Sequence, residues 1–302
     1  MYSIENYKDN IRFNKQYYEI RKFLQIIADN GYNEHFHWGR FDWMMAHSYL
    51  DVEMLSRNAL FRNENEELVG AVMYDTSFND RWYILHSISD ETLLVQMIEY
   101  VTKTDVGIAT IKANLNDTIL CKLLENAGFE KQHSESVLQI DLSHDLSFQL
   151  PQGFYLNASD SEIDNWQWRL VIYHGFDHEG IPQEPSEEVA KAEKHLESSE
   201  YIKTFAIKDG EYAAHCGVWY NGGNTAYIEP VVTVSEHRGK GLGKAVVYEA
   251  INRAKEQGAK RAIVLSDQEF YIHLGMTKSS EVSTWVKNSC LQEYICEKRH
   301  LL

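Results

Sequence analysis

Apolar positions recur along this chain with two periods, and the switches between them mark out its elements. In 14–30, Tyr17, Ile20, Leu24 and Ile27 fall three or four apart, the spacing of one helix face, and Gly31 supplies a stop. A second helix is predicted over 40–57, with Trp43, Met44, Leu50 and Met54 as its core face. From Ala59 the period shortens, and 58–77 holds two apolar runs around Asn63-Glu64-Asn65, a hairpin by composition. A strand at 81–89, a helix over 91–102, a strand at 107–113, a helix over 117–127 and a strand at 136–142 complete a βαβαβ half. Leu150-Pro151-Gln152-Gly153 is the strongest linker signal, and the plan then starts again. Helices are predicted at 161–173 and 186–197, followed by a hairpin through 202–220 and a buried strand at 227–234. An amphipathic helix stopping at Gly258 and a strand at 262–265 follow.

The restart is a repeat. Gly70 in Leu68-Val69-Gly70-Ala71-Val72 and Gly217 in His215-Cys216-Gly217-Val218-Trp219 both sit in the strand after a hairpin, 147 positions apart. Gly128 in Ala127-Gly128-Phe129 and Gly275 in Leu274-Gly275-Met276 both follow a helix, again 147 apart. One offset shared by two separated motifs argues for tandem copies of one fold.

Between the strand ending at Val234 and the helix stopping at Gly258 lies Arg238-Gly239-Lys240-Gly241-Leu242-Gly243-Lys244. Glycines there let successive backbone N–H groups crowd around an anion, and the following helix adds unpaired N–H groups and its positive dipole end. Arg238, Lys240 and Lys244 bring full charges to the same place, so the expected ligand is a diphosphate. Spacing rejects two phosphate loops. A P-loop needs four residues between its first glycine and Gly-Lys and then Ser or Thr, whereas three intervene here and Ala245 follows. A dinucleotide fingerprint needs G-x-G-x-x-G directly after the strand, whereas the spacing here is G-x-G-x-G and Ser235 to Arg238 intervene. What remains, Arg-x-x-Gly-x-Gly after Glu229-Pro230-Val231-Val232-Thr233 and before Tyr271-x-x-Leu274-Gly275-Met276, resembles the GNAT superfamily of acyl-CoA-dependent N-acetyltransferases.

That resemblance implies an α/β fold of the mixed α+β kind: two tandem GNAT-like domains, 1–148 and 149–302, each a mixed, mostly antiparallel sheet flanked by helices. It implies acetyl-CoA as cosubstrate, with the pantetheine amides on the backbone of Val231, Val232 and Thr233 and the pyrophosphate on Arg238, Gly239, Lys240, Gly241, Leu242, Gly243 and Lys244. It also implies direct attack of a primary amine on the thioester, with an oxyanion-binding backbone N–H near Val231 or Val232. An alkyl ammonium of pKa near ~10 is only about a thousandth free base at neutral pH, so a base must act, and Glu229 is the candidate. Tyr271 resembles the tyrosine placed near the sulfur and is the candidate acid for the departing thiolate. The asparagine that many members hold before this tyrosine is missing from Ser266-Asp267-Gln268-Glu269. Shifting by 147 puts Glu91, Leu94 and Gln96 opposite Arg238, Gly241 and Gly243, Trp82 opposite Glu229 and Leu124 opposite Tyr271. The first copy is therefore expected to be a degenerate domain that binds no CoA.

The remaining chemistry is thin. No metal is expected: His35 and His37 lack a third ligand, and Gly175 and Gly180 interrupt a helix that would align His174 with His178. Cys121, Cys216, Cys290 and Cys296 lack metal spacing and suit reduced thiols in a cytoplasm. Neither a leader nor an apolar run near the ~18 residues that span a bilayer is seen. A net charge of −16 disfavours nucleic acid and anionic membrane and favours a small cationic amine, with 13 basic against 23 acidic residues in 1–150. Two other readings stay open, a non-catalytic acyl-CoA-binding regulatory module and transfer of a different acyl group.

Overall fold

A computed structural model of the chain describes residues 2–75, 81–105 and 107–288, and Cys290 and Cys296 lie outside them. The described residues pack as two units, those within 2–137 together with 278–288, and 138–277.

The first unit runs β1 (Ser3–Asn6), α1 (Lys15–Ile27), α2 (Trp38–Ala46), β2 (Ala59–Arg62), β3 (Leu68–Tyr74), β4 (Trp82–His86), α3 (Glu91–Thr104), β5 (Ile108–Asn114), α4 (Thr118–Asn126) and β6 (Glu130–Asp141). Asn14 starts α1 by accepting from the Tyr17 amide at 3.0 Å, and the stripe Tyr17, Ile20, Phe23, Leu24 and Ile27 is buried. The helix predicted over 40–57 ends at Ala46. His47 turns extended, Asp51 caps a separate 3₁₀ segment, Val52–Arg57, and Met54 is exposed instead of in the core. Strands β1 to β4 pair antiparallel in sequence order, and β4 pairs parallel with β5. Trp82, Phe61, Leu94, Met97 and Ile111 fill the core beneath.

The second unit holds β7 (Tyr155–Leu156), α5 (Asn165–Gly175), α6 (Glu187–Glu193), β8 (Tyr201–Lys208), β9 (Glu211–Trp219), β10 (Thr225–Thr233), α7 (Leu242–Glu256), β11 (Arg261–Leu265) and α8 (Glu269–His273). Its sheet order is β11-β10-β9-β8-β7, parallel only between β10 and β11. Ala245, Ala250 and Ala254 let α7 settle against this sheet. It stops at Gly258 (φ +117), whose N–H reaches the Lys255 carbonyl at 2.8 Å while the Ala259 N–H reaches Ala254 at 3.0 Å, a Schellman closure. The last strand, β12 (Thr277–Asn288), packs with the first unit, its residues Val282 to Asn288 paired antiparallel with Asn114 to Ile108 of β5. The linker signal puts a break at 148/149, whereas packing divides the chain within β6 and again after the first residue of β12. A loop signal marks where the chain turns, and strand pairing decides which sheet each strand joins. The fold class is as expected, mixed and mostly antiparallel sheets flanked by helices.

The 147-residue spacing holds at its anchors. Gly70 and Gly217 lie in β3 and β9, and Gly128 and Gly275 follow α4 and α8 with φ of +84° and +80°. Between the anchors it slips. Gly70 pairs with His86, while Gly217 faces β10 at the Glu229 carbonyl, so His86 and not Trp82 stands opposite Glu229. From Gly70 to His86 is 16 positions and from Gly217 to Glu229 is 12, so the hairpin is the shorter in the second unit, and its longer connection from strand to helix, Val234 to Gly241 against Ser87 to Asp90, offsets this further on.

Candidate active site

The glycine loop opens α7. Gly239 and Gly241 hold φ of +74° and +86°, in the left-handed region that other residues rarely adopt, and Gly241 caps the helix with no side-chain hydrogen bond. The first backbone bond across this end runs from the Ala245 N–H to the Gly241 carbonyl at 3.1 Å, which leaves the amides of Leu242, Gly243 and Lys244 without an intrahelical acceptor. Gly243 serves by close approach: a Cβ there would stand 3.2 Å from the Phe270 ring and 3.5 Å from Thr233 Oγ1. The cradle is thus uncapped, positively polarised and pressed against both β10 and α8.

Its basic side chains have partners within the second unit. Arg238 donates to the Thr233 carbonyl at 2.9 Å and the Gly175 carbonyl at 3.0 Å and pairs with Asp177 at 2.8 Å. It braces the loop against the end of α5. Lys240 donates to the Glu236 carbonyl at 2.7 Å, and the Lys244 ammonium lies 4.9 Å from the Tyr248 ring centroid. The open amides and these cations thus lie together at the start of α7, and the cations also hold the shape of the loop.

Beside the cradle the sheet opens. The parallel pairing of β10 with β11 is confined to Thr225, Ala226 and Tyr227, although both strands continue. Against β9 the pairing jumps from Ile228↔Val218 to Val231↔Cys216, so Glu229-Pro230 forms a one-residue bulge. Beyond the bulge Val231 and Thr233 are half-buried and Val232 is buried. The bulge is fixed from both sides: the Trp219 indole N–H donates to the Glu229 carbonyl at 2.9 Å and the Tyr227 hydroxyl to Glu229 Oε2 at 2.8 Å. A Cβ on Gly217 would meet the Tyr201 hydroxyl at 2.4 Å and the Glu229 carbonyl at 2.6 Å. Gly217→Ala is accordingly expected to cost roughly 1–3 kcal/mol through overpacking. Urea unfolding measures this, and an unchanged midpoint would show that Tyr201 and the bulge yield freely.

Tyr271 is buried on α8, which α7 holds through the Tyr248 hydroxyl on the Leu274 carbonyl at 2.9 Å. Burial, and then the neighbouring Cys216 thiol and Glu229 carboxylate, push its hydroxyl well above the usual tyrosine range. Among the described residues that hydroxyl has no hydrogen-bond partner. Tyr271 and Glu229 are thus brought into electrostatic contact, with Val231 and Cys216 paired across the strands beside them. Sequence reading missed Cys216, Tyr201 and Tyr227. The alternation of β10 contained a signal for Tyr227, two residues from Glu229 and so on the same face.

The first unit builds its corresponding helix end otherwise. Asp90 caps α3 by accepting from the Leu93 amide at 2.9 Å, so a carboxylate stands where α7 leaves its amides open. His86 is committed inside its own unit, Nε2 at 2.6 Å from the Asp117 carboxylate and Nδ1 at 2.9 Å from the Ile88 carbonyl. α5 ends at Gly175, so His174 and His178 share no helix face; His174 Nε2 lies 2.8 Å from the Gly180 carbonyl. His37 caps α2 by accepting from the Gly39 amide at 3.0 Å, and both His35 and His37 are buried. Among the described residues no group of three or more His, Cys, Asp or Glu could hold a metal, and no helix is long and apolar enough to cross a membrane.

Residues 162–276, which span the cradle, the bulge and Tyr271, match the Acetyltransferase (GNAT) family. No curated protein matches the sequence. Solved structures share the fold. A tandem GNAT protein from the clavulanic acid biosynthesis pathway aligns over 95% of this chain and 98% of its own at 14% identity, with a TM-score of 0.60. A GCN5-related N-acetyltransferase from Sphaerobacter thermophilus aligns over 95% of both chains at 14% identity and a TM-score of 0.54. Another from Kribbella flavida covers 73% of this chain and 88% of its own at 15% identity and a TM-score of 0.51. At such identities the likeness is one of fold.

Proposed function

We propose, from a second unit that carries the sequence match and the fold of the GNAT family, that this chain is an N-acetyltransferase. It moves the acetyl group of acetyl-CoA to a primary amine, and only the second unit binds CoA. The observation that carries this reading is the contrast between two equivalent helix ends: α7 presents open amides behind Gly239 and Gly241, and α3 fills its own with Asp90. The cradle takes the pyrophosphate, and the gap between β10 and β11 takes the pantetheine arm along Val231, Val232 and Thr233. The amine nitrogen attacks the thioester carbonyl and the C–S bond breaks, giving an amide, CoA thiolate and one proton to remove from nitrogen. Glu229, held by the Tyr227 hydroxyl, receives that proton directly or through water. Tyr271, kept protonated by its burial, supplies one to the sulfur.

Mass spectrometry of small primary amines incubated with the protein and acetyl-CoA tests the reading. An N-acetylated amine is expected; tight CoA binding with every amine and acyl donor unchanged would make the chain an acyl-CoA-binding module. Titration calorimetry is expected to give one acetyl-CoA per chain, and a stoichiometry of two would contradict the role given to Asp90. Glu229→Gln is expected to change the acidic limb of the pH–rate profile, since a base works only when deprotonated. An unchanged limb would move the base role to a water chain or to His174 or His178.

A further inference from the structure

Lys203 is an inward lysine on a strand face that the mechanism above does not use. Alternation along β8 puts Tyr201, Lys203 and Phe205 on one face. Tyr201 pairs with Trp219 and stacks on it at 4.0 Å between centroids, and Trp219 pairs in turn with Tyr227, so Glu229, two residues on, extends the same face. α5 covers this face through Trp168, whose ring lies 6.2 Å from Tyr201. The Lys203 ammonium stands 4.3 Å from the Trp168 ring centroid and 5.2 Å from that of Tyr201. Among the described residues no hydrogen bond or ion pair reaches that nitrogen. Glu197 acts on it only at longer range, and the nearby His215 ring is neutral, pushed down by burial to about 3. Burial likewise pulls the ammonium down to about 8.

Two aromatic faces compensate the lost hydration of a cation only in part. An anion arriving from solvent would complete it. A purely cationic acceptor would be repelled by Lys203 and attracted by Glu229, two opposite charges on one wall, and that pattern matches a molecule carrying both signs. Resting on the transferase reading, we propose that Lys203 is the anion-recognition residue of the acceptor subsite, and that the amine acetylated here also bears a carboxylate or phosphate.

Matched acceptors test this: glycine, β-alanine and 4-aminobutyrate against their primary amides, and phosphoethanolamine against ethanolamine. At least one acid is expected to exceed its neutral partner about tenfold or more in kcat/KM, the worth of one charged hydrogen bond, through a lower KM. The two arms separate carboxylate from phosphate. Lys203→Met, which keeps the packing of the stem, should bring the ratio toward one, and Lys203→Arg should restore much of it. Equal turnover of partners in the unmodified protein, or an equal fall of both partners in Lys203→Met, would overturn the proposal. Calorimetric titration of the same acids into the protein saturated with CoA separates it from the reading it rests on. Lys203-dependent binding without any transfer would leave the subsite and remove the transferase; transfer indifferent to Lys203 would do the reverse.

Discussion

Tyr271→Phe is expected to lower turnover by roughly 10²- to 10⁴-fold, the usual worth of a positioned acid, while leaving acetyl-CoA affinity almost unchanged. The hydroxyl has no hydrogen-bond partner among the described residues, so its removal strands no donor or acceptor and folding should survive. Its proton is held tightly because the ring is buried beside Cys216 and Glu229. Charge develops on sulfur only as the C–S bond breaks, so the hydroxyl is worth most at that moment and little in the ground state. Steady-state kinetics with calorimetry of acetyl-CoA binding separates the two quantities. Full turnover in the variant would return Tyr271 to a packing role; an equal loss of affinity and turnover would make it a binding residue.

Gly241→Glu is expected to weaken acetyl-CoA binding by about 10²-fold or more, from loss of two charge-assisted hydrogen bonds at ~1.5–3 kcal/mol each. Two causes act together. At φ +86° any side chain is strained, and the new carboxylate would stand in the cradle much as Asp90 does at the end of α3. Gly241→Ala separates them, since it carries only the left-handed penalty of ~1–2 kcal/mol. Calorimetry on both variants, with thermal midpoints to verify folding, gives the comparison. Unchanged affinity in Gly241→Glu would remove the phosphate role from this loop.

Much of this was legible in the sequence because glycine and proline carry geometric meaning. The stop of α7 at Gly258, the positive φ of Gly239 and Gly241 and the departure of β10 from regular pairing at Glu229-Pro230 all follow from local residue chemistry. What was not legible came from longer range. β12 joins the first unit because its residues pair with Ile108 to Asn114, a choice made between strands far apart in sequence. The even spacing of 147 hid a shorter hairpin in the second unit, offset by a longer connection from strand to helix, and so named Trp82 where the sheet register puts His86. The place of Arg238 before the glycines suggests a phosphate ligand, but not the further partners of its guanidinium, Thr233, Gly175 and Asp177, the last two on a segment that sequence alone cannot bring near. Lys203 was visible as a lysine on an apolar strand face, but its aromatic neighbours arrive from α5 and across β9.

Amine-dependent acyl transfer at the second unit is tested by following free CoA thiol in time, with and without an accepted amine, at both saturating and subsaturating acetyl-CoA. Thiol release is expected to require the amine, to match the acetylated amine mole for mole and, at acetyl-CoA near the Kd of the unmodified protein, to fall steeply in Gly241→Glu. Release at the same rate without amine, or release undiminished in Gly241→Glu at that subsaturating concentration, would contradict transfer at this unit.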